Sequence, residues 1–273
     1  MLNFLKVPTL ALLCMLTASC GTAYRLQLPP RPDNAVTGNG FYKVVDSMKW
    51  HTREPLAMRE ILSGNVPGFL RKFVPVHTSI TTGGGKKISA TFFVAPDYLS
   101  IGSNNDFARV PLTPITGQRI ADSLQCFLPT RKMVDDIYRQ ANVKLEPVPL
   151  YGFRDSAIIF WHHHLIIEGQ RKGRAGLIGG IKKDVVISEK VARDSRPNRV
   201  AIYGWHQPDG KPIQPLYTGH VDWYVDYSHG IRLVYRKIKV NGQWMDYTEV
   251  LQHPEYKALL CDEDACDFFR YPY

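Results

Sequence analysis

The sequence predicts an α+β domain in which helices come first and an antiparallel sheet follows. Three observations carry that expectation. Apolar residues recur at three- and four-residue spacing between Thr116 and Ala141. β-branched and aromatic runs bounded by Gly, Pro, Asn and Asp take over from residue 157 onward. A glycine-rich turn, TTGGGKK at 81–87, joins two β-prone stretches at 73–80 and 88–94 and lacks the spacing of a phosphate-binding loop, so it reads as a hairpin turn.

The elements follow in order. Thr116 is the N-cap of a helix carrying Ile120, Ala121 and Leu124 on one side. Pro129 and Thr130 open a second, with Met133, Val134, Ile137, Tyr138 and Ala141 on its buried face, and Pro147 and Pro149 close it. Strands are expected at 157–161, 184–188, 199–205 and 220–226. A further one at 231–240, after a Ser-His-Gly turn, suggests a hairpin with the strand before it.

Residues 1–19 hold one early charge, Lys6, then an apolar run and small residues, a run too short to span a bilayer and patterned as a secretory leader. The stretch Leu16-Thr17-Ala18-Ser19-Cys20-Gly21 resembles the lipobox of bacterial lipoproteins. That resemblance implies lipidation of Cys20 and an exported chain held to a membrane through its lipid anchor. Gly21, in place of a retention aspartate, favours the outer membrane or the cell surface. Residues 20–40, rich in Pro, Gly and Asn, read as a flexible tether, which leaves one domain over 41–273.

Without Lys6, 33 basic side chains face 25 acidic ones. Such an excess suits cell wall or another anionic polymer as partner. The charge is spread along the chain and no nucleic-acid motif accompanies it, so nucleic acid is not expected. No cofactor motif is present, and neither H-E-x-x-H nor a paired-cysteine zinc signature occurs.

Three cysteines remain beyond the leader and lipobox. Cys261 and Cys266 bracket an acidic loop and are expected to form a disulfide, which export permits. Cys126 is the odd thiol and the first candidate nucleophile. If 220–227 is a strand, His220, Asp222, Tyr224 and Asp226 share one face and Val221, Trp223, Val225 and Tyr227 the other, with His229 in the turn beyond. That row supports two mechanisms. His220 can serve as base for a Cys126 thiolate, with His229 or an aspartate orienting it. Alternatively His220 and Asp222, about 6.6 Å apart along a strand, bind a divalent metal with His229 or His206. Asp222 and Asp226 are about 13 Å apart by the same rise, too far for a glycosidase pair, which needs its carboxyls within about 10 Å.

Trp205, Trp223, Tyr224 and Tyr227 offer stacking surfaces for sugars, and Lys183, after a glycine-rich turn, a contact for an anionic ligand or an exposed turn residue. His162, His163 and His164 are read as a polar strand end, where adjacent side chains point to opposite faces and cannot converge on one ion.

The order of Cys126, Lys183-Asp184-Val185-Val186-Ile187 and Gly219-His220-Val221-Asp222-Trp223-Tyr224 resembles the NlpC/P60 peptidases of the papain-like class. The resemblance implies a papain-like arrangement with Cys126 at a helix start as nucleophile, His220 as base and His229 as orienter, cutting cell-wall peptide. Phe127-Leu128-Pro129 stand where that family continues with Ser-Gly. Residues 121–138 and 224–234 also resemble an uncharacterised group of bacterial secreted proteins. The expectation is an exported cell-envelope hydrolase of the cysteine peptidase or amidase type. The alternatives are a metal- or carboxylate-dependent hydrolase of an acidic glycan and a non-enzymatic glycan-binding lipoprotein.

Overall fold

The computed structural model of the chain describes residues 24–273. The leader, the lipobox and Cys20 lie outside the described residues. The chain is α+β. Its helices are α1 (Gly38–Val45), α2 (Trp50–Leu62), α3 (Pro114–Ser123), α4 (Arg131–Gln140), α5 (Ala157–Arg171), α6 (Glu189–Ala192), α7 (Tyr247–Gln252) and α8 (Lys257–Leu260). A larger sheet is built from β1 (Val74–Thr81), β2 (Lys87–Val94), β5 (Cys126–Phe127), β12 (Val234–Tyr235), β13 (Lys237–Val240) and β14 (Gln243–Asp246). A smaller one has the order β10 (Pro212–Val221), β9 (Arg199–His206), β8 (Lys183–Val186), β11 (His229–Gly230). Two short ribbons, β3 (Ser100–Gly102) with β4 (Phe107–Arg109) and β6 (Val143–Lys144) with β7 (Ile178–Gly179), complete the strands. No helix among the described residues is long and apolar enough to cross a membrane.

The expected hairpin forms β1 and β2, in register from Val74↔Val94 to Thr81↔Lys87. Thr130 caps α4 by accepting from the Met133 N–H at 3.2 Å, and Met133, Val134 and Ile137 are buried. Helix α3 starts earlier than the sequence suggested, because Thr113 is the cap and Pro114 occupies the first turn, where a missing N–H costs nothing.

Four expectations are corrected. Residues 157–161 open a fifteen-residue helix, not a strand. The apolar run conceals a helical period: Ala157, Phe160, His164 and Ile167 are buried at spacings of three and four, with His163 beside them. The strand at 220–226 stops at Val221, and residues 222–228 form a turn that crosses to β11. Residues 231–240 do not return as its hairpin partner, since Val234 pairs with Val94 of β2 and Phe127 of β5 in the other sheet. Finally, the described part of the expected tether is docked on the domain. Tyr24 stacks on Tyr235 with ring centroids 3.6 Å apart, Leu26 is buried, and Arg71 donates to the carbonyls of Leu28 at 3.1 Å and Pro29 at 2.7 Å.

Behind the small sheet, Arg109 is fully buried against Asp97, donating from Nη2 to Oδ2 at 2.6 Å and from Nε to Oδ1 at 2.9 Å, with Glu168 of α5 at 2.8 Å. Asp97 has no access to water. Arg109→Met therefore strands a buried carboxylate, and we expect a loss of about 3–5 kcal/mol, read as a lowered urea midpoint with an unchanged m-value.

Candidate functional site

The candidate cluster grows from the small sheet and the turn that leaves it. Strand β11 runs parallel to β8 with His229 opposite Lys183, so the two side chains stand together on one face. His220 lies near the end of β10, paired with Val200 of β9. The 222–228 turn then folds back over the sheet. Its anchor is Asp226, whose Oδ1 accepts from the Ser228 N–H at 2.8 Å and the Ser228 hydroxyl at 2.6 Å. Arg154, from the segment before α5, donates to Oδ2 at 2.8 Å, and the Tyr224 hydroxyl approaches the same oxygen at 3.4 Å. The Arg154 carbonyl accepts from the Tyr227 N–H at 2.9 Å, and the Tyr227 hydroxyl accepts from the Leu150 N–H at 2.6 Å, which fixes that segment to the turn.

Around this carboxylate the rings converge. His220 lies 4.7 Å from Tyr224 and 5.7 Å from His229 between ring centroids, and Tyr224 lies 5.9 Å from His229. His229 Nε2 faces Asp226 Oδ1 at 3.9 Å, too long for a hydrogen bond, and that buried nitrogen has no partner. His229 and Asp226 are buried, whereas His220 and Tyr224 are half-buried and open to solvent. Lys182 lies deeper, donating to the Tyr227 carbonyl and standing 3.3 Å from His163 Nδ1 of α5.

The electrostatics follow from this packing. Burial alone would raise the Asp226 carboxyl, but His229, the Ser228 donors and Arg154 outweigh it and hold the group ionised below its ordinary range. Burial lowers His229, against the pull of Asp226, and His220, Lys183 and Lys182 lower it further. His220 is lowered by burial, with Lys183 and Arg154 in the same direction and Asp226 opposing. Both imidazoles are thus neutral at neutral pH. Burial and the Asp226 charge push the Tyr224 phenol up to about 12, so it keeps its proton. Burial lowers Lys183, and it brings the wholly enclosed Lys182 down to about 7. A half-exposed neutral imidazole beside a protonated phenol, with cations close by, is an acid–base pair in a field that favours developing negative charge.

Trp205 forms part of the wall. It has φ +58 one residue before the end of β9, a conformation that costs a bulky side chain about 1–3 kcal/mol. Its indole Nε1 is buried without a partner, and the Lys183 ammonium sits 5.1 Å from its ring centre.

Of the residues singled out from the sequence, the structure unites His220, Tyr224, Asp226, His229, Lys183 and Trp205. It does so through the turn and not through a common strand face. Asp222 is outside the cluster, its N–H donating to the Asn198 carbonyl at 2.9 Å, and Trp223 is 45% exposed on the wall of a neighbouring cavity. Lys182, Lys183 and Asp184 are buried, so the exposed-turn reading fails. His206 is bound to Asp135 at 2.9 Å, and no three His, Cys, Asp or Glu side chains among the described residues are placed to hold a metal ion. Cys261 and Cys266 are joined, with S–S 2.02 Å.

Cys126 is the main correction. It opens no helix but lies on the short strand β5 of the larger sheet, whereas His220 belongs to the smaller one. The thiol is 4% exposed and donates to the Leu124 carbonyl at 3.3 Å. Burial pushes it well above its ordinary value, the reverse of an activated nucleophile. The helix-borne cysteine that the papain-like resemblance implies is absent from this geometry. The sequence reading missed Arg154 and Ser228. Ser228 alone had a local signal, the Asp-Tyr-Ser-His run in which a short hydroxyl can close a turn on the aspartate two residues before it.

Iodoacetamide at pH 8 should leave Cys126 unmodified in the folded protein and label it fully in denaturant, as mass spectrometry will read. Labelling at the rate of a free thiol would contradict the burial. No family model, curated protein or solved structure matches the chain.

Proposed function

We propose that the chain is an exported cell-envelope hydrolase that cleaves an ester or amide bond of a cell-wall polymer by acid–base catalysis, without a thiol nucleophile. The observation that carries the reading is the convergence of two neutral imidazoles and a protonated phenol on one buried, ionised aspartate, beside Lys183 and Arg154. His220 is the base: it takes a proton from water, and the hydroxide adds to the carbonyl carbon. Lys183 and Arg154 face the oxyanion that forms. When the carbon–oxygen or carbon–nitrogen bond breaks, Tyr224 protonates the leaving group and regains its proton from His220. Asp226 and His229 act through their neighbours, holding Tyr224 and the His220 ring in place. The excess of 33 basic over 25 acidic side chains beyond the leader suits an anionic wall polymer.

The test is release of soluble fragments from purified cell-wall sacculi, followed by mass spectrometry. His220→Ala and Tyr224→Phe should each lower kcat/KM by about 10²–10⁴-fold, and Cys126→Ala should leave it within about threefold. Turnover abolished by Cys126→Ala, or unaffected by His220→Ala, would overturn the mechanism.

The pH profile gives an independent check. The base works unprotonated, and its pKa lies below the ordinary histidine value of about 6.5. The acid limb of kcat/KM should therefore have its midpoint below pH 6.5, while the Tyr224 limb lies far to the alkaline side. A midpoint above 6.5 in kcat/KM would rule out His220 as the base.

A further inference from the structure

Beside the acid–base centre, a cavity of about 390 Å³ opens between the α1–α2 connection, the start of α5 and the 221–225 turn. Tyr224 is shared: one side of it lines this cavity, and the other meets His220 and Asp226. Three large aromatic side chains exposed to water, Trp50, Phe153 and Trp223, stand on its walls at 38%, 84% and 45% exposure. Exposed aromatic surface gathered at one concave site is what a binding pocket presents.

The polar lining is specific. Arg53 is 4% exposed, and no carboxylate among the described residues pairs with it. Its Nη1 donates to the Met48 carbonyl at 3.3 Å and its guanidinium lies over the Phe160 ring at 4.7 Å, but its Nε is buried without any acceptor. A buried donor left unpaired is costly, and an oxygen held in this cavity would satisfy it. At the adjoining end of α5, Ser156 does not cap the helix, because its hydroxyl donates to the Phe153 carbonyl at 2.7 Å. The first-turn N–H groups therefore also lack a side-chain acceptor. Charges on the lining cancel, Lys49 and Arg53 against Asp46 and Asp155, which disfavours a polyanion here. Stacking surfaces together with donors and acceptors of both signs match a ring that carries many hydroxyls.

We propose that this cavity is a saccharide subsite. It takes one neutral pyranose ring against the Trp50 and Trp223 faces, with the Arg53 Nε–H donating to a carbonyl or hydroxyl oxygen and Asp46 and Asp155 accepting from hydroxyls. As the substrate's sugar it rests on the hydrolase reading above, since Tyr224 would then deliver the bond beyond that ring to His220.

The test is calorimetric titration of the leader-free chain with the tetramer of N-acetylglucosamine and, separately, with a tetramer of glucuronic acid. The expected result is saturable binding of the neutral tetramer, weakened at least tenfold by Trp223→Ala and by Arg53→Gln, with the acidic tetramer no tighter. Trp223 is on the surface, so its variant tests the site even if the buried Arg53→Gln fails to fold. Absence of saturable binding, unchanged binding by Trp223→Ala, or preference for the acidic tetramer would overturn the subsite. His220→Ala should bind as the unaltered chain does. Binding retained there, with no cleavage of sacculi by the unaltered chain, upholds the subsite and removes the hydrolase reading. Cleavage without tetramer binding removes the subsite and leaves that reading standing.

Discussion

Asp226 is the group on which the centre depends. A carboxylate removed from water is unstable unless charged or hydrogen-bonding partners replace the lost solvation. Here Ser228 supplies two donors and Arg154 a third, each at 2.8 Å or less. Those bonds also dictate the path of the chain: they draw the 222–228 turn back across the small sheet, tie it to the segment before α5 and set Tyr224 and His229 on either side of the carboxylate. Removing the charge would release the turn and scatter the rings together. Stability and site geometry are therefore one constraint at this position.

The scaffold beneath the centre is stiff for related reasons. Tyr98 donates to Asp184 at 2.7 Å, and Arg232 lies 3.7 Å from the same carboxylate, with its other nitrogens on the carbonyls of Ala95 and Ile178. Asp184 neighbours Lys183 on β8, so the face of the strand turned away from the centre is locked by this buried network. Against such a backing, the left-handed backbone at Trp205 can be maintained, and it holds an unpaired indole N–H and a ring under the Lys183 ammonium. Strain of this kind persists where the surroundings over-determine it.

How much of this was legible in the sequence depends on how far each feature is local. The 73–94 hairpin and α4 were readable because a glycine turn and a Thr cap act within a few residues. Helix α5 was misread because its first five residues, AIIFW, satisfy a strand pattern, while the period that identifies it emerges only through His164 and Ile167. His220, Tyr224, Asp226 and His229 were found for a reason that proved incomplete. A strand would have aligned the first three at even spacing, but the turn gathers them with His229 through hydrogen bonds that periodicity cannot express. Arg154 lies seventy-two positions from Asp226 and carried no local signal. Cys126 attracted attention by its odd count, a property of composition. Its burial depends on β12 and Tyr24, which close over it from distant parts of the chain.

The two neighbouring sites differ in electrostatic character, and under the proposed function that difference gives them separate tasks. The acid–base centre gathers Lys182, Lys183 and Arg154 around a single carboxylate, so its field favours negative charge as it develops. The adjoining cavity balances its charges and presents aromatic faces, so its contacts are matched to shape and hydroxyl pattern. A site that both held and transformed the same anionic group would bind substrate and transition state alike and gain nothing in rate. On the proposed reading, recognition of a neutral ring next door would avoid this: the ring's binding energy would position the scissile bond and leave the cationic field for the charge that appears only during reaction. Tyr224 is common to both sites, lining the cavity and standing 4.7 Å from the His220 ring, so on that reading it is the side chain through which positioning would reach the chemistry.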